Sequence, residues 1–231
     1  MRRAIATALL VAVSVCVAVS VCAPAQQASS GGSAAVITFT FDFAKSNPEH
    51  YSITVNAAGH ARYECTGAVT DASEAQDYAA EFEMSAANRE RIFALAKQAK
   101  YFSGKVDSGN RKLAFTGMKQ LSFKDAQHNN SAQFNYSNLE SVRELADLFQ
   151  KIQTTLEYGR QLTYYHRYQK LALADALKQM EAQARNDELA ELQTVTPVLK
   201  EIVDDSSVIN VVRARAEELI EMGNGSKRSA P

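Results

Sequence analysis

The chain has 231 residues, with 25 lysines and arginines against 26 aspartates and glutamates, so its net charge is −1 at neutral pH. A balance this close to zero argues against nucleic acid as the main partner, because binding to a phosphate backbone depends on an excess of basic side chains.

The N-terminus has the pattern of an export signal. A basic start, Met1-Arg2-Arg3, precedes an uncharged apolar run over residues 4–22, and small residues follow at Ala23 and Ala25. This order of segments predicts a signal peptide, residues 1–25, that is cleaved after Ala25. The apolar run is also just long enough to span a bilayer, so a retained anchor is an alternative.

A lipid anchor on Cys22 is a further alternative, although Val21 is bulky where such signals carry a small residue. The leading expectation is a secreted or periplasmic protein without a transmembrane anchor after cleavage. Cleavage would remove two of the three cysteines and leave Cys65, so no intramolecular disulfide is expected. It would also leave 23 basic against 26 acidic side chains, a net charge near −3.

Residues 26–35 are small and polar and are expected to form a flexible spacer. The sequence VITFTFDF, residues 36–43, then alternates apolar and polar side chains as a half-buried strand does. Residues 51–67 predict a hairpin that turns between Asn56 and His60, with Gly59 supplying a positive φ. In the second strand Cys65 shares the inward face with Tyr63, so a buried, unreactive thiol is expected.

A short strand over residues 79–84 leads to Ser85, which is expected to cap an amphipathic helix running to Phe102. Two further alternating segments, residues 118–125 and 131–137, predict a second hairpin. Ser137 and Glu140 have the spacing of a capping box, and an apolar stripe behind them predicts a helix to Leu156.

A second amphipathic helix is predicted over residues 161–184, and Gly159 either separates it from the preceding helix or weakens one continuous helix. Another helix can start at Asn186 and must kink or restart at Pro197. A last helix follows residues 204–207 and stops at Gly223. The predicted organisation is an α+β domain over residues 36–158, a helical region over 161–222 and a frayed tail over 223–231.

The fold class expected from these elements is α+β, with an antiparallel, hairpin-built sheet packed by helices and a C-terminal helical hairpin. The segment YSITVNAAGHARYECTG, with the strand, helix and hairpin after it, resembles a group of uncharacterised exported bacterial proteins built around a domain of unknown function. The resemblance covers roughly residues 36–158 and implies no activity. The segment DSSVINVVRARAEELIEM is similar to the second helix of a HEAT-type repeat, carried by Asp205, Val212, Arg213, Ala216 and Leu219.

The sequence shows no recognisable catalytic constellation. Its histidines, His50, His60, His128 and His166, are scattered without metal-ligand spacing, and no G-x-S-x-G, H-E-x-x-H or Walker-type loop occurs. The first three are expected to be solvated loop imidazoles. We therefore predict no catalytic residue, no metal site and no cofactor.

Two features suggest a binding surface. Tyr164, Arg167 and Tyr168 lie on one side of a predicted helix, where they can stack on a ring or pair with an anion, although they also fit a partly solvated core edge. A set of basic residues could contact an anionic polymer or a lipid headgroup, or be an ordinary solvated face; it comprises Lys97, Lys100, Lys105, Arg111, Lys112, Lys119 and Lys124.

The expected function is that of an exported, non-catalytic interaction or accessory protein of the bacterial cell envelope, with an envelope protein or polymer as its partner. The alternative is a hydrolase of envelope polymers whose site is assembled from dispersed residues. The sequence does not identify the ligand or the oligomeric state.

Overall fold

The computed structural model describes residues 34–70, 73–110 and 112–225. The predicted signal peptide and most of the predicted spacer lie outside these residues. Six strands form one sheet: β1 Val36–Asp42, β2 His50–Asn56, β3 His60–Gly67, β4 Gln76–Glu83, β5 Met118–Lys124 and β6 Asn129–Phe134. Five helices accompany it: α1 Ala86–Gln98, α2 Glu140–Tyr168, α3 Leu173–Arg185, α4 Thr196–Asp204 and α5 Asn210–Gly223.

The sheet is antiparallel throughout and has the strand order β4-β3-β2-β1-β5-β6. Both predicted hairpins are present, and Gly59 has a φ of +106° in the first turn, a conformation that glycine adopts without steric cost. The α+β fold class is confirmed. Alternation places one side of each central strand in the core, as Ile37, Phe39 and Phe41 show on β1.

Helix α1 begins as predicted, because the Ser85 side chain accepts a hydrogen bond from the Asn88 amide at 3.3 Å. The helix ends at Gln98, four residues before the predicted end at Phe102. Lys100, Tyr101 and Phe102 have positive φ values in a 3₁₀ turn. This turn stacks Tyr101 on Phe123 of β5, with 4.6 Å between ring centroids.

The predicted capping box at the start of α2 is wrong. The Ser137 hydroxyl donates to the Val106 carbonyl at 2.7 Å and accepts from the Leu139 amide at 3.2 Å. The helix itself begins at Glu140, and Leu139 at its N-cap makes no side-chain capping bond. Ser137 is buried against the chain around Val106, and this tertiary contact takes the hydroxyl that a local capping box would use.

Helix α2 runs through Gly159 without a break and ends at Tyr168. A Cβ atom at Gly159 would lie 2.7 Å from a methyl carbon of Val195, so glycine allows the 3₁₀ turn Leu192–Val195 to pack closely on α2. The helix predicted over residues 161–184 is therefore split between two helices. Its first part is the end of α2, and its second part is α3, which follows a break at Gln169. No helix starts at Asn186, and the next one begins at Thr196 with Pro197 in its first turn.

The core has two parts that share α2. The sheet, α1 and the first half of α2 enclose one cluster, in which Phe39 and Phe149 stack with 5.2 Å between ring centroids. The second half of α2 packs with α3, α4 and α5 around a second cluster that includes Leu162 and Leu199. Helices α4 and α5 form the C-terminal hairpin, and Val212, Ala216 and Leu219 point inward. No helix in the described residues is long and apolar enough to cross a membrane.

Candidate functional site

A buried ion pair marks the middle of α2. Glu157 and Arg160 are only 8% and 7% exposed, and Arg160 Nη1 lies 3.6 Å from Glu157 Oε2. Arg160 Nη2 donates to the Gly67 carbonyl at 2.8 Å, at the end of β3. Removing charges from water costs several kcal/mol unless they are paired and hydrogen-bonded. Such a pair is a candidate functional group as well as a tie between α2 and the sheet.

Strand β3 supplies the remaining partners of this pair. Tyr63 Oη donates to Glu157 Oε1 at 2.6 Å, and Cys65 Sγ lies 3.5 Å from the same oxygen. Arg160 Nη1 lies 3.5 Å from the Cys65 sulfur, and its guanidinium group sits 5.1 Å from the centre of the Tyr78 ring. Within the described residues both hydrogen bonds to this carboxylate use Oε1, whereas Oε2 is the oxygen that lies nearest to Arg160 Nη1.

The prediction that Cys65 is buried beside Tyr63 is confirmed. Its side chain is 4% exposed, and burial raises the pKa of the Cys65 thiol to about 11. Burial and the neighbouring Glu157 carboxylate also raise the pKa of Tyr63 far above its ordinary value. Both groups are therefore neutral at physiological pH, and neither is poised to act as a nucleophile.

We expect native Cys65 to react slowly with a thiol reagent at pH 7–8, because the thiolate is the reactive form and the side chain is enclosed. Denatured protein should release one fast-reacting thiol from Cys65, with the pH dependence of an ordinary cysteine near 8.5. Labelling followed by intact mass spectrometry measures both rates. Fast native labelling at neutral pH would show that the thiol is accessible and ionised.

A polar pocket of about 260 Å³ adjoins the buried pair. Its walls come from the β1–β2 loop, from α2 and from α3, and Glu157 is the one carboxylate among the residues that line it. The lining residues are Asn47, Gln153, Thr154, Glu157, Tyr158, Gln161 and Gln179. The Asn47 amide is held in place by a hydrogen bond to Ala68 O at 2.9 Å and another from Ala68 N at 3.0 Å. The pocket is therefore preorganised on at least two of its sides.

The α2 residues that line the pocket share one side of the helix with Tyr164 and Tyr168. From Gln153 to the end of α2, at about 100° per residue, five positions, Glu157 included, lie within about 40° of Glu157 around the helix axis. They span about 22 Å at about 1.5 Å of rise per residue. We call this set the α2 stripe; it comprises Gln153, Glu157, Gln161, Tyr164 and Tyr168.

The predicted binding residues meet at the C-terminal end of the α2 stripe. The rings of Tyr164 and Tyr168 are 5.1 Å apart between centroids, and the Arg167 guanidinium lies 5.3 Å from the centre of the Tyr168 ring. Tyr168 is 62% exposed, whereas Tyr165 packs against the helical core. The structure thus brings Tyr164, Arg167 and Tyr168 together on an accessible surface.

Sequence reasoning missed the buried pair and the pocket. The sequence did contain one signal of the buried pair. Arg160 follows Ile152 and Leu156 at intervals of four residues, so a charged side chain continues a row of apolar core residues on α2. Asn47 and Gln179 carry no such signal, because they come from distant segments that only the tertiary structure places beside α2.

Each histidine lies beside a carboxylate: His50 next to Asp42, His60 next to Glu83, His128 next to Asp125 and His166 next to Asp205. His166 is the least exposed of them, and its Asp205 partner also accepts from Lys170 at 2.6 Å. The Lys170 and Ser207 side chains, with His166, hold the pKa of Asp205 well below its usual range. Within the described residues, no three acidic, histidine or cysteine side chains form a group that could hold a metal ion.

The predicted basic set does not form one surface. Lys119 is buried, with Nζ 3.2 Å from the Asn135 carbonyl and 5.6 Å from the Phe41 ring centre. Lys100 and Lys124 adjoin the β5–β6 hairpin, at the other end of β5 from Lys119. Arg111 lies outside the described residues. Lys119 is therefore separated from Lys100 and Lys124 by the length of β5.

A larger cleft of about 600 Å³ lies on the open face of the sheet. Its charged side chains are exposed and neutralise one another, as Arg62 does with Glu64 and Glu81. Exposed pairs of this kind contribute little to specificity or stability. The α2 stripe, with a pinned and buried carboxylate, is the better candidate site.

Comparison with known proteins adds no family to this description: no protein-family model matches the chain, and the search of curated proteins found no match.

Proposed function

We propose that this is an exported, non-catalytic binding or accessory protein of the bacterial cell envelope, and that it holds its ligand along the α2 stripe. The observation that carries the proposal is that a preorganised polar pocket and an aromatic pair, Tyr164 and Tyr168, share one face of α2. Pockets with a few convergent polar groups, and exposed aromatic and arginine anchors, are typical of binding sites. Export is the expectation from the N-terminal sequence.

The pocket chemistry favours binding over hydrolysis. Glycoside hydrolysis uses two carboxyl groups about 5–10 Å apart on either side of the bond. The described residues that line the pocket supply Glu157 alone, and its Oε1 is occupied by Tyr63. The carboxylate is therefore placed to orient a bound group rather than to share proton transfer with a second acid.

Co-sedimentation with purified, insoluble bacterial cell-wall polymer tests the proposal. Wild-type protein should pellet with the polymer, and Tyr164→Ala or Arg167→Ala should weaken binding by about tenfold or more, because anchor residues typically contribute at least about 1.4–2 kcal/mol.

The matched control is Tyr136→Ala. Tyr136 is also a partly exposed tyrosine beside an arginine, with Arg143 at 5.9 Å, but it lies at the opposite end of α2. This variant should bind like the wild type. Equal loss in both tyrosine variants, or release of soluble fragments from the polymer by the wild-type protein, would contradict the proposal.

A further inference from the structure

We infer that the ligand of the α2 stripe is a neutral, hydroxyl-rich saccharide chain, with one sugar ring in the Glu157 pocket and a neighbouring ring on Tyr164 and Tyr168. This inference rests on the proposed function and names its ligand class. It combines the chemistry of the pocket with the position of the aromatic pair.

The pocket presents the groups that recognise hydroxyls. Three side-chain amides, from Gln153, Gln161 and Gln179, each offer donors and an acceptor within one planar group, and the Asn47 amide, although it pairs with Ala68, keeps one N–H and one lone pair. Adjacent hydroxyls on a sugar ring also donate and accept, so each amide can match a pair of them. At about 260 Å³ the pocket is smaller than the cavities of about 300–1,000 Å³ that hold drug-sized ligands, and it suits one small ring.

The charges in the pocket disfavour an anionic ligand. Glu157 lines the pocket with its carboxylate, while the neighbouring cation, Arg160, is not among the lining residues and directs its guanidinium group to the Gly67 carbonyl, the Cys65 sulfur and Glu157 Oε2. An incoming phosphate or carboxylate would meet the Glu157 carboxylate without a basic partner among the described lining residues. A hydroxyl can donate to the Glu157 carboxylate without that repulsion, and charge-assisted hydrogen bonds of this kind are the stronger ones.

The aromatic pair extends the site beyond one ring. Tyr164 and Tyr168 lie about 4.5 and 10.5 Å along the helix axis from Gln161, at the pocket's edge. The apolar face of a sugar ring can stack on a tyrosine, and the Arg167 guanidinium beside Tyr168 adds hydrogen-bond donors for ring substituents. A chain of linked sugars can therefore occupy the pocket and the aromatic pair together, whereas a monosaccharide reaches only one of them.

Isothermal titration calorimetry with defined saccharides tests this inference. The probes are pentamers of β-1,4-linked N-acetylglucosamine, β-1,4-linked glucose and α-1,4-linked glucose, the matching monosaccharides, and polyphosphate as an anionic polymer. At least one pentamer should bind, at least about tenfold more tightly than its monosaccharide, since about 1.4 kcal/mol of added stacking corresponds to that ratio. Polyphosphate should not displace it.

Two variants assign the binding to the two parts of the site. Gln179→Ala removes part of the pocket wall, and Tyr164→Ala removes one ring of the aromatic pair. Each substitution should lower the affinity for the pentamer by about tenfold. Tyr164→Phe should retain binding, because it keeps the ring and removes only the hydroxyl. Gln133→Ala, on the open sheet face, is the matched glutamine control and should have no effect. Unchanged melting temperatures establish that each variant is folded.

The outcomes separate this inference from the proposed function. If no pentamer binds at millimolar concentration but the wild-type protein still pellets with cell-wall polymer in a Tyr164-dependent way, the saccharide is wrong and the binding function stands. Pentamer binding that survives both Gln179→Ala and Tyr164→Ala would place the saccharide elsewhere on the protein. Displacement of the pentamer by polyphosphate would refute a neutral ligand.

Discussion

Replacing Arg160 with methionine is expected to lower the free energy of unfolding by about 3–5 kcal/mol, because it leaves the Glu157 carboxylate buried without its cation. Methionine keeps much of the side-chain volume, so the expected loss reflects the charge rather than a cavity. The substitution also removes the 2.8 Å hydrogen bond to the Gly67 carbonyl. Urea denaturation of the wild type and the variant measures the difference.

The exposed pair between Arg91 and Glu144 provides the matched control. It has a comparable separation of 3.3 Å, but its side chains are 57% and 41% exposed. Arg91→Met should cost no more than about 1 kcal/mol, because water already solvates and screens both charges. Similar losses in the two methionine variants would show that burial of the Arg160 pair has no energetic consequence.

A double variant separates the unpaired charge from other causes. Adding Glu157→Gln to Arg160→Met removes both charges, while the amide oxygen can still accept from Tyr63. The double variant should recover much of the lost stability, since neutral replacement of a buried ion pair is often tolerated. If the double variant instead lost as much stability as the single variants Arg160→Met and Glu157→Gln added together, the two charges would not interact.

Phe149→Ala is expected to destabilise the protein by about 3–5 kcal/mol, the usual cost of removing a fully buried aromatic ring. Phe149 has no exposed surface, and it stacks on Phe39 of β1 with an interplanar angle of 1°. Truncation would open a cavity at the contact that docks α2 on the centre of the sheet. Thermal or urea unfolding monitored by circular dichroism gives the change.

Lys151→Ala, two residues along the same helix, is the control for Phe149→Ala. The Lys151 ammonium group lies 3.3 Å from both Asp147 and Asp187, whose side chains are 66% and 95% exposed. Its loss should cost no more than about 1 kcal/mol, as expected for surface ion pairs. If the two variants were equally destabilised, the helix would not pack on the sheet in the observed phase.

Local side-chain patterns predict most of the secondary structure of this chain. The alternation in residues 36–43 and 51–67 predicts strands with the correct inward faces, and Cys65 is buried as its register requires. Exact helix bounds follow less well from such patterns. The Ser137 hydroxyl is used by Val106, 31 residues away, and Gly159 is accommodated inside α2 because it lies against Val195.

One part of the candidate site could be predicted from local sequence, and the other part depends on residues that are distant in the sequence. Helical spacing alone predicts that Tyr164, Arg167 and Tyr168 share a surface, since a helix brings residues three and four apart together. The pocket depends on Asn47 and Gln179, which lie more than 100 residues apart in the sequence, and on contacts between β3 and α2. The spacing of apolar residues indicates which face of a helix or strand is buried, but not which other element packs against that face. Only the tertiary structure therefore decides that Glu157 and Arg160 are buried together beneath a polar pocket, because their burial depends on β3 supplying Tyr63, Cys65 and the Gly67 carbonyl.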